Sequence, residues 1–140
     1  MKTIFSKIWF PIFVLFAIVS CREDIIPPGN FVGNINEPVQ IKDNNTYTFL
    51  INAKDLTLNV KNKPLFTSAT SKITINIFDY RKGYITIRVD DRFDNERFNY
   101  FGNRNIDFFT ESFLGWVSDT ISISAVNFSA KIKIELRRTF

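Results

Sequence analysis

Histidine is absent from the 140 residues, and cysteine occurs once, as Cys21. The first absence removes the commonest general base near neutral pH and the usual nitrogen ligand of zinc, copper and non-haem iron. The second excludes an internal disulfide, so the fold must be held by its core. Glycine and proline are sparse, at five each. Neither a Gly-rich phosphate loop nor a Gly-x-Ser-x-Gly elbow is present. No apolar run reaches the roughly 18–20 residues of a membrane-spanning helix. A carboxylate pair is the one catalytic arrangement left open, because two acids can meet from anywhere in a fold. The sequence therefore reads as a non-enzyme that needs no cofactor.

What is present begins with Lys2 and Lys7, followed by an apolar run from Ile8 to Val19 interrupted only by Pro11. Charge, then a short apolar core, then a small residue is the build of a cleavable secretory signal. The run ends in Ile18-Val19-Ser20-Cys21, which resembles the lipobox of bacterial lipoproteins, with Ile where Leu is commoner. The resemblance implies that Ile18 fills an apolar pocket of the signal peptidase and that Ser20 leaves room at the scissile bond. It also implies that Cys21 carries diacylglycerol and becomes the new N-terminus, usually acylated again. Two or three acyl chains anchor stably where one does not. On this reading residues 1–20 are the signal and residues 21–44, with Pro27-Pro28-Gly29, are a tether holding at most a short edge strand near 31–35. Residues 45–140 are the domain.

Arg22 follows Cys21 where inner-membrane retention would place Asp, which favours a lipid anchor in an outer membrane. Glu23 and Asp24 resemble the surface-export tag of some lipoproteins, and an ordinary solvated linker is the equal alternative. The expected location is therefore the outer membrane, at the cell surface or on the periplasmic face. Loss of Lys2 and Lys7 with the signal lowers the formal charge from +4 to +2. A near-neutral domain of mixed charge argues against a nucleic-acid partner.

From Thr46 onward the apolar residues recur with period two, the mark of half-buried strands. Tyr47, Phe49 and Ile51 form one set, and a turn is expected at 52–55 before Leu56, Leu58 and Val60. Ile73, Ile75 and Ile77 pair naturally with Ile85, Ile87 and Val89 across a tight Arg81-Lys82-Gly83 turn, the clearest hairpin in the chain. Ile121 and Ile123, then Phe128 to Leu136, complete the pattern. Charged outward positions on the last run, such as Lys131, Lys133 and Glu135, mark an antiparallel sheet with one wet face. The expectation is an all-β, antiparallel β-sandwich, Ig-like or jelly-roll, of about seven strands.

Two constellations offer binding chemistry. Asp90, Asp91, Asp94 and Glu96, with Asn95, present hard oxygen ligands of the type calcium takes. The EF-hand spacing fails, and Arg92 and Arg97 make a solvated loop of local ion pairs the favoured reading. Next come aromatics from Phe98 to Trp116 among Asn and Arg. Tyr100, Asn103, Arg104 and Trp116 are the candidate ligand residues, because ring faces can stack on sugar C–H groups while amides and guanidinium bind hydroxyls. The alternative for each ring is a place in the core. Asp119-Thr120-Ile121 resembles a short O-glycosylation acceptor, against a plain strand start. The functional expectation is a membrane-anchored envelope lipoprotein whose sandwich is a non-catalytic binding module for a glycan or protein. The alternative is an accessory subunit of an envelope complex. Beyond the lipobox the chain resembles small envelope lipoproteins rich in Asn, Ile, Lys and Phe.

Overall fold

Strands with one apolar face need a second apolar face to pack against, and here three long strands supply it from their own two halves. The computed structural model describes residues 34–139. The signal, Cys21 and the tether up to residue 33 lie outside the described residues. Six strands follow in order: β1 Val39–Lys42, β2 Thr46–Asn62, β3 Thr70–Asp90, β4 Glu96–Gly102, β5 Ile106–Leu114 and β6 Thr120–Arg138. All pair antiparallel, in the order β1-β2-β6-β3-β4, with β5 also on β3. The all-β antiparallel class expected from the alternation is the one observed.

The strands β2, β3 and β6 are 17, 21 and 19 residues long, far beyond the usual five or six. Each bends near its middle. In β2 the buried positions are Tyr47, Phe49, Ile51 and Ala53, after which Leu56, Leu58 and Val60 take over as the inward positions. In β6 the burial passes from Ile121, Ile123 and Ala125 to Phe128, Ala130, Ile132, Ile134 and Leu136. Each change of parity is a bulge, one extra residue that keeps the same face inward while the strand turns. The register breaks fall at the same level in all three strands, at 53–58, 78–84 and 126–128.

This crease is lined by left-handed residues of the types that tolerate that conformation: Asp55 (φ 53°), Asp79 (φ 53°), Gly83 (φ 79°) and Asn127 (φ 46°). It divides the sheet into two leaves. The first holds β1, β2 46–53, β6 130–138, β3 70–78 and β5. The second holds β2 56–62, β6 120–128, β3 82–90 and β4. The leaves close on each other. Tyr47 and Asn62, at opposite ends of β2, meet at 3.5 Å, and the buried Ser71 and Ser118 hydroxyls meet at 2.7 Å. Ile77 and Ile85 both border Gly102, where a Cβ would fall 2.7 Å from Ile77 Cδ1 and 3.0 Å from Ile85 Cγ2. The isoleucines between the leaves are fully buried, and each contributes about 1.5–3 kcal/mol by leaving water.

Three expectations change. Ile73–Ile77 and Ile85–Val89 are not a hairpin: they are the two halves of β3, each paired to β6 and facing the other across the core. Alternation reports a buried face, and a crease produces the same pattern as a hairpin. The 52–55 segment is likewise a bulge within β2, so the strands number six rather than about seven. The sheet also begins before residue 45. β1 lies inside the expected tether, while residues 31–35 contribute only the isolated bridge Ile35–Asn52.

The segment just before β1 locks the crease. The Asn36 side chain accepts from the Lys54 amide at 2.7 Å and donates to the Lys54 carbonyl at 2.9 Å, standing in for a strand partner where β2 bulges. At Gly83 a Cβ would run into the Asn127 carbonyl, whereas at Gly115 (φ 83°) it would meet open space. Gly83→Ala is therefore expected to lower stability by about 2–3 kcal/mol, against about 1 kcal/mol for Gly115→Ala, which carries only the backbone strain. Urea denaturation of both variants measures the difference. Equal losses would show that β3 and β6 are not tightly apposed at the crease.

Candidate functional site

The aromatic residues from Phe98 to Phe113 lie on β4 and β5, and Trp116 sits in the connection just after β5. β4 edges the second leaf and β5 the first, so the rings of both meet along the open side of the sandwich. Tyr100 packs on Phe109 (centroids 4.9 Å), Phe109 on Phe98 (6.2 Å), Phe98 on Phe113 (5.3 Å) and Phe113 on Trp116 (4.8 Å). Phe98 and Phe113 are buried, and Tyr100 and Trp116 are half-buried against the core. Burial raises the Tyr100 hydroxyl above its ordinary range, and Arg104 opposes the shift. The structure thus joins Tyr100 and Trp116 through a row of rings that seals the core. Asn103 and Arg104 are exposed in the β4–β5 connection. None of the four candidate ligand residues lines the cleft at the crease.

The acidic candidates are organised by two arginines. Asp90 and Asp91 are buried, at 2% and 3% exposure. Arg88 Nε donates to Asp90 Oδ1 at 2.5 Å and lies 3.4 Å from Glu96 Oε2. Asp91 accepts from Arg97 Nε (2.7 Å), from the amide N–H groups of Phe93 (2.8 Å) and Asn95 (3.1 Å), and from Asn95 Nδ2. Burial pushes the Asp91 carboxyl up, but the Arg97 guanidinium and these amides outweigh it and hold it at about 2. Its lone pairs serve the loop itself, which is an Asx-type turn between β3 and β4. Asp94 (φ 59°) and Glu96 are exposed beside it. Among the described residues no three acidic side chains are grouped so as to hold a metal ion.

Two features escaped the sequence. The first is on the outer face of the second leaf. Tyr84 and Phe101 are exposed (40% and 57%) and stack on each other, with ring centroids 5.3 Å apart and planes 29° apart. Successive cross-strand rows run away from them: Asn59, Ser124, Thr86 and Phe101, then Lys61, Ser122, Arg88 and Asn99. The middle of the first row carries the small hydroxyls Ser124 and Thr86, and the second row adds Ser122 beside Arg88, whose guanidinium is turned to Asp90 and Glu96. Neither ring is among the candidate ligand residues read from the sequence. Their odd-even placement opposite Ile85 and Tyr100 was the available signal.

The second is a cleft of about 490 Å³ at the crease, lined in part by Ile35, Asn52, Lys54, Asp55, Asp79, Arg81, Lys82, Ser129 and Lys131. Asp55 pairs with Lys82 at 2.5 Å and Asp79 with Lys131 at 2.7 Å. These lysines hold both carboxyls below their ordinary range. Its residues lie on three strands and on the segment before β1, and converge only because the strands bend at one level.

The Asp91 geometry sets a pH dependence. Its native carboxyl sits at about 2, below an unfolded value of about 3.9. The stabilisation is therefore complete above pH 4 and is lost as pH falls through 2. Asp91→Asn should lower the urea midpoint at pH 7, with the gap to the parent closing near pH 2. A gap of equal size at both pH values would show that the ionised carboxylate is not its source.

No family model matches the chain, and no curated protein matches it. Among solved structures it is similar to a glycosylation associate protein (Gap123) complex from Streptococcus agalactiae, at 11% identity and a TM-score of 0.34. That likeness covers 73% of this chain and 39% of the other, so the chain spans well under half the length of its neighbour.

Proposed function

We propose that the chain is an outer-membrane lipoprotein, anchored through lipid on Cys21, whose sandwich is a non-catalytic module that binds a glycan on the outer face of the second leaf. The observation that carries the reading is the exposed Tyr84–Phe101 stack at the head of a flat, hydroxyl- and amide-lined field. Stacked rings left in water gain by covering the C–H face of a pyranose, and Asn59, Asn99, Ser122 and Ser124 supply donors and acceptors for its hydroxyls. Beside the rings Thr86, Ser122 and Ser124 keep the surface low, and Arg88 and Lys61 stand at its far end. The absence of His, with Cys21 committed to lipid, supports a binding role over catalysis. A second reading, as an accessory subunit, is favoured by the exposed β5 edge, where Phe108 (66%) and Leu114 (74%) lie open to a protein partner.

Retention on immobilised polysaccharides tests the first reading. Tyr84→Ala and Phe101→Ala should each weaken retention about tenfold, the worth of one stacked ring, without changing the unfolding transition. Tyr100→Ala and Trp116→Ala should instead lower stability by about 2 kcal/mol or more, as core truncations do. If the first pair leaves retention unchanged, the face does not bind glycan. Recovery of a stoichiometric envelope protein from gently solubilised membranes, lost on Phe108→Lys, would favour the accessory reading instead.

The anchor has its own test. Cys21→Ala should move the protein from the membrane fraction to the soluble fraction. Retention of that variant in membranes would overturn lipidation. Protease added to intact cells should degrade the parent if the domain faces outward, and protection would place it in the periplasm.

A further inference from the structure

The crease cleft contains four cations, Lys54, Arg81, Lys82 and Lys131, against two carboxylates, Asp55 and Asp79. Lys82 and Lys131 are taken up by those carboxylates. Lys54 and Arg81 have no ion-pair partner among the described residues, so the cleft keeps an excess of two positive charges. Both carboxyls are held below their ordinary range, first by the hydrogen bonds from Lys82 and Lys131 and also by the charges of Lys54 near Asp55 and Arg81 near Asp79, so both stay ionised at neutral pH and the excess of two positive charges belongs to the cleft as a whole.

The cleft is also shaped for more than an ion. Its volume of about 490 Å³ falls in the range of small-ligand sites, roughly 300–1,000 Å³. Ala53, Ala130 and Ser129 leave its floor open, and the exposed Ile35 (57%) gives an apolar wall. Its framework is held firmly. Asn36 clamps the Lys54 backbone from both sides, and Asp55 is left-handed with its amide on Ser129 Oγ at 2.8 Å. Arg81 sits between the two left-handed positions Asp79 and Gly83.

The cleft and the proposed glycan face share one strand pair. Along β3 and β6 the register steps from Lys82–Ser129, in the cleft, to Tyr84–Val126, at the stacked rings, and then to Thr86–Ser124, in the hydroxyl field. A saccharide lying along the field reaches the cleft at the crease end.

We propose that the crease cleft is a subsite for a hexuronate residue, so that the glycan bound by this face is an acidic one. The assignment rests on the glycan reading above. Arg81 offers the planar two-pronged donor that matches a carboxylate, Lys54 adds a second charge, and Ile35 covers a ring C–H face. Phosphate, compact and without a C–H face, would leave the apolar wall of Ile35 unused.

The experiment is calorimetric titration of the full-length protein in neutral detergent with digalacturonate, with the matching neutral digalactoside, and with inorganic phosphate. The expected result is about tenfold tighter binding of the acidic disaccharide at low salt, weakening as salt rises. Arg81→Gln and Lys54→Gln should abolish that preference while leaving neutral binding and thermal unfolding unchanged. Equal affinity for the two disaccharides, both weakened by Phe101→Ala, would overturn the uronate subsite and leave the glycan face standing. Acid binding lost on Arg81→Gln but indifferent to Phe101→Ala would uphold the cleft and overturn the face. Phosphate binding as tightly as digalacturonate would overturn the sugar assignment, and binding of neither disaccharide would overturn both.

Discussion

Three strands of 17, 21 and 19 residues, each apolar on one side, have little but one another to bury that side against. There is no helix among the described residues to cover the sheet, and no disulfide to hold it. A flat ribbon of this length would leave its isoleucines in water, at about 25 cal/mol for every Å² exposed. Folding the ribbon across its middle removes both halves from water at once. The rest of the structure follows from where that fold is placed and from what the backbone needs in order to make it.

The backbone needs left-handed residues and extra residues, and it needs them at one level in all three strands. Asp55, Asp79, Gly83 and Asn127 meet the first need, and the bulges in β2 and β6 meet the second. On the inner side of the crease Leu56, Tyr80 and Phe128 pack against the core, while its outer side is left in solvent with amides short of ladder partners. Polar and charged side chains therefore collect there. Asn36 supplies missing backbone partners, Ser129 and Asp55 bond to each other's groups, and Lys82 and Lys131 neutralise the aspartates. The cleft is thus a by-product of folding the sheet, and with four cations against two carboxylates it carries an excess of positive charge.

The two sides of the folded ribbon are finished differently. On one side β1 lies along β2, and Gln40, Tyr47 and Asn62 form a polar seam; burial pushes the Tyr47 hydroxyl up to about 12. On the other side β4 and β5 bring their rings together, so that Tyr100 and Trp116 close the core. Phe98, Tyr100, Phe109, Phe113 and Trp116 are spent on packing, while Tyr84 and Phe101, turned to the opposite face, form an exposed stacked pair. The neighbouring Asp90 and Asp91 are held by Arg88 and Arg97, which makes their loop a rigid corner.

The sequence by itself determined the class and most of the core. Alternation at Tyr47–Ile51, Ile73–Ile77, Ile85–Val89 and Phe128–Leu136 named the buried positions correctly, because side-chain direction in a strand follows from the chain alone. It also showed the limits on chemistry, since a residue type that is absent can serve nowhere in the fold. Other features depended on which segment pairs with which. The two halves of β3 look like a hairpin until β6 is seen to run along both. The strands β4 and β5 were hidden because rings on both of their faces blur the period of two. Tyr100 and Trp116 are distinguished from Tyr84 and Phe101 only by which side of the sheet meets the other leaf. The crease cleft assembles Lys54, Arg81 and Lys131 from positions tens of residues apart. Such convergence is set by strand register and by the bend, which are properties of the packed sheet and are not carried by any local stretch of the chain.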